Sequence, residues 1–204
     1  MKKRRPAVTL KDIAAKTGYS VNTVSRALRD KDDIAAPSRE MIQKTAQEMG
    51  HVSNTLAASL RLGYTKTIAV ILGDISNPHF SIMMKEIEGH AWKAGYTSIL
   101  FNTNENEELE LAAIQSALNK NVDGIIICPA QKTPDNLTYL KESGVPFVLI
   151  GRRDEAYSYV VCNDELGGYQ ATKELLSAGH RDILLLHGAT YISSARERLE
   201  GYCR

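Results

Sequence analysis

The chain has 204 residues, of which 43% are hydrophobic and 24% charged, and a formal net charge of +1, which is the composition of an ordinary globular protein long enough for more than one domain. The near-neutral total hides an asymmetry: residues 1–63 carry 12 Lys and Arg against 6 Asp and Glu, whereas residues 64–204 carry 13 against 18. A basic front joined to an acidic body implies a polyanionic partner for the first module and argues against one for the second.

The first segment is helical and strand-free. Thr9 is placed to cap a helix over Leu10–Lys16, whose Leu10, Ile13 and Ala14 recur at helical spacing. Gly18 supplies a turn, and Ser20 caps a second helix with Val21, Val24, Ala27 and Leu28 facing inward. After the solvated loop "RDKDD", Pro37-Ser38 opens a third helix with Met41, Ile42, Thr45, Ala46 and Met49 on its buried side, closed by Gly50. Residues 51–66, "HVSNTLAASLRLGYTK", do not continue this pattern. Asn54 is placed to cap a short helix reaching about Leu60, but two isolated turns are marginal in water. The stretch reads as a linker that becomes helical only when held.

From Thr67 onward apolar strands alternate with amphipathic helices. Strands are expected at "TIAVILG" (67–73), "SILFNT" (98–103), "DGIIICP" (123–129), "PFVLIG" (146–151), "YVVC" (159–162) and "DILLLHG" (182–188). Helices are expected over about His79–Ala94, Glu107–Asn119, Asn136–Ser143 and Leu166–Ala178. Runs such as Ile-Ile-Ile and Leu-Leu-Leu indicate strands covered on both faces, and hence a parallel sheet in a doubly wound α/β domain. Another helix begins in "ARERLEGYCR", so the second half of this architecture is expected to be missing, and the domain truncated.

Two helices around a glycine turn, supported by a third, make a helix-turn-helix plan in which the second helix offers its N-terminal residues to base edges. Here those residues are Val21, Asn22 and Arg26. Asn22 has the donor and acceptor for a bidentate pair with adenine, Arg26 can fork onto guanine O6 and N7, and Val21 can meet a thymine methyl. The hydroxyls of Thr9, Thr23 and Ser25 suit phosphate oxygens, which position the helix without reading sequence. On periodicity alone a small helical protein-interaction domain with a solvated polar face stays open.

The stretch running from "VTLKDIAAKTGYSVNTVSRALR" through "SNTLAASLRLGYTKTIAVILGDISNPHF" resembles the amino-terminal part of a LacI/GalR-family transcriptional regulator, without gaps over residues 8–80. The resemblance rests on T-L-x-D-I-A, V-S-x-x-T-V-S-R-x-L written here as "YSVNTVSRAL", N-x-x-A-x-x-L and S-N-P-x-F. Weaker family features continue in "AGHRDILLLHG" and "SARERLEGY". It implies DNA contacts at Thr9, Leu10, Val21, Asn22, Thr23, Ser25 and Arg26, with a phosphate contact at Asn54. It also implies a hinge helix that pairs with a second copy in the minor groove. There Leu60 wedges into the central base step, with Ala57 one turn before it on the same face. His51 replaces a common tyrosine. The basic "KKRR" at 2–5 lengthens the usual arm, either as an added phosphate or minor-groove contact or as a solvated tail.

For the α/β body the resemblance is to periplasmic sugar-binding proteins, whose ligand lies between two lobes at the strand carboxyl ends. It implies effector contacts from Asn77, His79 and Phe80 after the first strand and from Ser194 and Arg198 of the second lobe. Asn163 stands where many relatives carry Asp. The implied architecture is an all-α helix-turn-helix headpiece over 1–53, a hinge over 54–66, a first periplasmic-binding-protein-like lobe over 67–180 and the start of a second lobe over 181–204. The implied partners are double-stranded operator DNA, a second copy of the chain and a small-molecule effector such as a sugar or nucleobase. With the second lobe almost absent, this chain alone is not expected to sense an effector.

Catalytic readings find little support. The sequence lacks G-x-G-x-x-G, a Walker A loop, G-x-S-x-G and H-E-x-x-H, and its five histidines have no metal-ligand spacing. No catalytic residue, metal or cofactor is expected. Cys128, Cys162 and Cys203 form no C-x-x-C pair, which fits a reducing cytosol. No apolar run approaches the roughly 18 residues of a membrane span, and "MKKRRPAVTL" has no hydrophobic h-region after it. A cytoplasmic repressor is therefore expected. A periplasmic-type sugar-binding protein without a DNA role is the alternative, and a nucleotide-dependent Rossmann enzyme a more distant one.

Overall fold

Thr9 starts the first helix, α1 (Leu10–Thr17), with a reciprocal capping box: its side chain accepts from the Asp12 N–H while its own N–H donates to the Asp12 carboxylate at 2.8 Å. Gly18 ends α1 in the left-handed conformation, φ 75°, which costs a glycine little. Ser20 then caps α2 (Val21–Ala27) by accepting from the Thr23 N–H at 3.1 Å. The third helix, α3 (Ala36–Glu48), opens on Pro37. Ile13, Val24, Ala27, Ile42 and Ala46 bury a common core, flanked by the half-buried Val8, Leu10, Tyr19, Leu28, Ile34 and Met49. Tyr19 donates its hydroxyl to Ser38 at 2.9 Å, and Gln43 reaches back to the Ala27 carbonyl at 3.0 Å, so side-chain bonds also tie α3 to the turns.

This computed structural model describes residues 8–51 and 63–204. The chain divides into two compact units, Met1–Ala58 and Ser59–Arg204. The expected hinge residues Asn54, Ala57 and Leu60, and the basic arm at 2–5, lie outside the described residues.

The second unit runs β1 (Thr67–Leu72), α4 (Pro78–Lys93), β2 (Thr97–Asn102), α5 (Glu107–Asn119), β3 (Gly124–Ile127), α6 (Asp135–Glu142), β4 (Phe147–Ile150), β5 (Tyr159–Val160), α7 (Asp164–Ser177) and α8 (Ser193–Cys203). All the strand pairs are parallel, in the order β2-β1-β3-β4-β5, with Thr67 opposite Thr97, Ile68 opposite Gly124, Ile125 opposite Phe147 and Leu149 opposite Tyr159. The apolar runs divide by the strand period. Ala69, Ile71, Ile125, Ile127 and Leu149 pack on one face with Ala113, Ile114, Leu137 and Leu140 of α5 and α6. Val70, Leu72 and Cys128 pack on the other with Phe80 of α4. A sheet covered on both sides directs the carboxyl ends of its strands to one edge, where the following loops gather. Asp123 fastens the opposite edge, accepting from the Thr65 and Lys66 N–H groups, each at 2.7 Å.

Three expectations change. "DILLLHG" forms no strand. Its Ile183 and Leu185 are half-buried, but Leu184 and Leu186 are 83% and 87% exposed. An apolar run becomes a buried strand only where another strand offers ladder bonds and layers cover both its faces; no described strand pairs with this run, and only its Ile183 and Leu185 side is partly covered, by α7 and α8. Val21 and Met41, expected on inward faces, are 41% and 45% exposed, because the core is filled by Ile13, Val24, Ala27, Ile42 and Ala46.

Helices α7 and α8 cross in very close contact. A Cβ at Gly201 would fall inside the contact distance of the Glu165 carbonyl and 2.7 Å from the Tyr169 amide nitrogen, and one at Gly168 would strike the Arg198 carbonyl. All of these are backbone atoms, which cannot swing aside. Gly201→Ala is expected to destabilise the second unit by about 1–3 kcal/mol, read as a lower midpoint in chemical denaturation.

Candidate functional site

In the first unit the core decides what α2 shows to its surroundings. Val24 and Ala27 are fully buried, which turns Val21, Asn22 and Arg26 outward. Asn22 and Arg26 are one turn apart and share a face. The hydroxyls are already engaged: Thr23 Oγ1 bonds Ser20 Oγ at 2.8 Å, and Ser25 Oγ accepts from Arg29 at 2.7 Å. Thr9 Oγ1 donates to Asp12 at 2.7 Å. The Thr9 N–H and hydroxyl, both donating to Asp12, hold that carboxyl below its usual range. Leu10 packs its side chain against the core, so what it offers outward is the backbone N–H of the first helical turn. Arg26 is paired with Asp33 of the following loop, donating from Nε to Oδ1 at 3.3 Å and contacting Oδ2 through Nη2. His51 closes the unit with Nδ1 2.8 Å from the Val8 carbonyl. A carbonyl only accepts, so Nδ1 carries the proton.

In the second unit, five of the six effector candidates line one cleft of about 310 Å³: Asn77, His79 and Phe80 from the start of α4, and Ser194 and Arg198 from α8. Asn77 caps α4 by accepting from the His79 N–H at 3.0 Å. Phe80 belongs to the core, only 8% exposed, with the open His79 ring edge-on to it at 5.5 Å. The exposed aromatic surface near the cleft is therefore that of the His79 and His187 imidazoles. Asn163 lies apart: it caps α7, accepting from the Leu166 N–H at 3.0 Å, and lines a second, mostly apolar cleft of about 400 Å³ between α7, α8 and residues 183–185. Arg198 reaches both clefts and is held by Asp164 at 2.7 Å.

Further residues at the first cleft escaped the sequence reading. Arg152 is buried, donates to the Pro129 carbonyl, and pairs with Glu105 at 2.7 Å. Glu105 follows β2, Cys128 and Pro129 follow β3, and Gly151 and Arg152 follow β4. The rule that open parallel sheets bind at their carboxyl edge would have found all of them had it been applied to every strand rather than the first. Behind this wall Glu110 is buried, accepting from the Ala130 N–H at 2.7 Å and from Asn136 at 2.9 Å. Burial raises its carboxyl above the usual range, and those two bonds oppose the rise.

Comparison with known proteins follows the two units. Residues 9–54 match the family model of bacterial regulatory proteins, lacI family, and residues 65–204 match that of periplasmic binding proteins and sugar binding domain of LacI family. The chain belongs to the LacI family. Among its relatives are HTH-type transcriptional repressors PurR from Vibrio campbellii, 32% identical, and Pasteurella multocida, 30% identical, each aligned over 96% of this chain and 60% of its own length. A lac repressor dimer bound to operator and an anti-inducer shares the fold, with TM-score 0.85 and 24% identity over 97% of this chain and 61% of its own. A LacI-family transcriptional regulator from Silicibacter pomeroyi is 26% identical with TM-score 0.77, covering 96% and 60%. The chain thus spans about 60% of the length of the curated relatives it matches.

Among the described residues no group of His, Cys, Asp or Glu could hold a metal ion, and no helix is long and apolar enough to cross a membrane. The LacI-family first lobe also buries one thiol. Burial pushes Cys128 up to about 12, with the Arg152 charge only partly offsetting it, whereas Cys162 and Cys203 are exposed. Maleimide labelling of the native protein at pH 8 is expected to modify Cys162 and Cys203 and to leave Cys128 unmodified until denaturant is added, as counted by intact-mass spectrometry.

Proposed function

We propose that this chain is a sequence-specific transcriptional repressor of the bacterial cytoplasm, which docks as a dimer on a pseudo-palindromic operator and has no catalytic role. The observation that carries the reading is the outward display of Val21, Asn22 and Arg26 on α2, fixed by full burial of Val24 and Ala27 behind them. In the bound state the start of α2 enters the major groove. Asn22 reads adenine, Arg26 reads guanine and Val21 meets a thymine methyl. Thr9, Leu10, Thr23, Ser25 and Asn54 address phosphates and set register. Ala57 and Leu60 of two hinges meet at the operator centre, where the leucines open a base step at a cost of a few kcal/mol.

The cleft formed by Asn77, His79, Ser194 and Arg198 suits a small polar ring, with Asn163 outside it. Its effector biases DNA affinity by changing how the two subunits are spaced. Among the described residues, 185–188, Ile192 and α8 line the cleft opposite the strand ends. The relatives named above support the DNA role: the PurR proteins are transcriptional repressors, and the lac repressor structure is a dimer on operator.

Selection of bound duplexes from a random DNA pool by the full chain is expected to return a symmetric consensus with a deformable central step. Affinity for that consensus falls steeply with salt as phosphate contacts release counterions, a response that a sugar-binding protein lacks. Leu60→Ala is expected to leave the circular dichroism spectrum unchanged and to weaken consensus binding by more than about tenfold. An unchanged gel-shift titration would remove the wedge from the mechanism.

A further inference from the structure

The geometry points to Asp33 as a specificity-determining positioning residue: its carboxylate grips the Arg26 guanidinium along the Nε–Nη2 edge and leaves the Nη1–Nη2 end free to fork onto a guanine. The inference rests on the reading of α2 as the base-reading helix. A guanidinium carries five donors in one plane. Here Nε donates to Asp33 Oδ1 at 3.3 Å and Nη2 meets Oδ2, while Nη1 has no partner among the described residues. The edge engaged by Asp33 and the terminal edge are distinct pairs of N–H groups. The terminal pair has the parallel geometry that matches guanine O6 and N7.

The surroundings distinguish this carboxylate from its neighbours in "RDKDD". Asp30 is turned the other way, bracing α3 through Arg39 at 3.3 Å and Gln43 at 3.2 Å. That bracing fixes the loop from which Asp33 reaches back to α2. The Arg26 and Asp33 side chains are 45% and 46% exposed, so water screens the pair and it adds little to folding. What it does is remove rotamer freedom from a long side chain before DNA arrives, so that less is lost on binding.

The inference has a sign that simple electrostatics opposes. A loop carboxylate beside a duplex repels phosphates, so deleting one that has no other role tightens binding to every sequence. Deleting one that aims Arg26 weakens binding to the correct sequence. The test applies random-pool selection, then titration of the selected consensus and of one scrambled duplex, to the full-length wild type, Asp33→Ala, Asp33→Asn and Arg26→Lys. Circular dichroism checks that each variant is folded. Arg26→Lys identifies the guanine that Arg26 reads as the position whose preference disappears.

Asp33→Ala is expected to lower consensus affinity about fivefold without weakening the scrambled duplex, and to flatten preference at that guanine while the adenine read by Asn22 stays selected. Asp33→Asn, which keeps one acceptor in the same shape, is expected to fall between wild type and Asp33→Ala. It carries the test if Asp33→Ala does not fold. Equal tightening of both duplexes, or an undiminished guanine preference, overturns the proposal. So does an Arg26→Lys variant that leaves every position unchanged. A wild type that selects no motif fails earlier, at the reading of α2 itself, and takes the proposal with it.

Discussion

Burial of Val24 and Ala27 against Ile13 and Ile42 is the constraint on which the first unit turns. A seven-residue helix such as α2 has no stability of its own, because nucleating a turn costs more than so few hydrogen bonds return. It exists only while its apolar stripe is docked. The same docking determines, with no further instruction, which residues face away. Apolar contact on one side therefore sets the chemistry offered on the other. The Ser20 cap and the Thr9–Asp12 box hold the ends of the two short helices where that docking needs them.

The second unit uses the opposite geometry. Its strands are apolar on both sides, so neither face is free for function, and polar side chains collect where the strands stop. Glu105, Arg152 and the start of α4 converge because parallel pairing aligns every strand end on one edge. Arg152 illustrates the cost of placing charge there: buried at the cleft wall, it is satisfied by a carbonyl and a carboxylate rather than by water. Glu110 does the same work one layer deeper.

What the sequence made legible was periodicity and punctuation. The unbroken apolar runs in "TIAVIL" and "GIII" foretold sheet residues for both faces, and Thr9, Gly18 and Ser20 marked helix ends within a residue or two of where they fall. The family resemblance pointed to Asn77, His79, Phe80, Ser194 and Arg198, which the fold brings to one cleft. Partnerships between distant residues were not legible. Nothing local in "RDKDD" tells Asp30 from Asp33, yet one faces α3 and the other α2. The pairing of Glu105 with Arg152 depends on how β2 and β4 are ordered in the sheet. "DILLLHG" shows the converse error. Its composition is that of a central strand, but composition states only a readiness to pair, and pairing needs a neighbour.

That leucine-rich ribbon has a consequence for the polypeptide as a physical object. Among the described residues Leu184 and Leu186 stand exposed on a run with the composition of a strand, and an exposed apolar run of that kind invites an extended segment to pair with it.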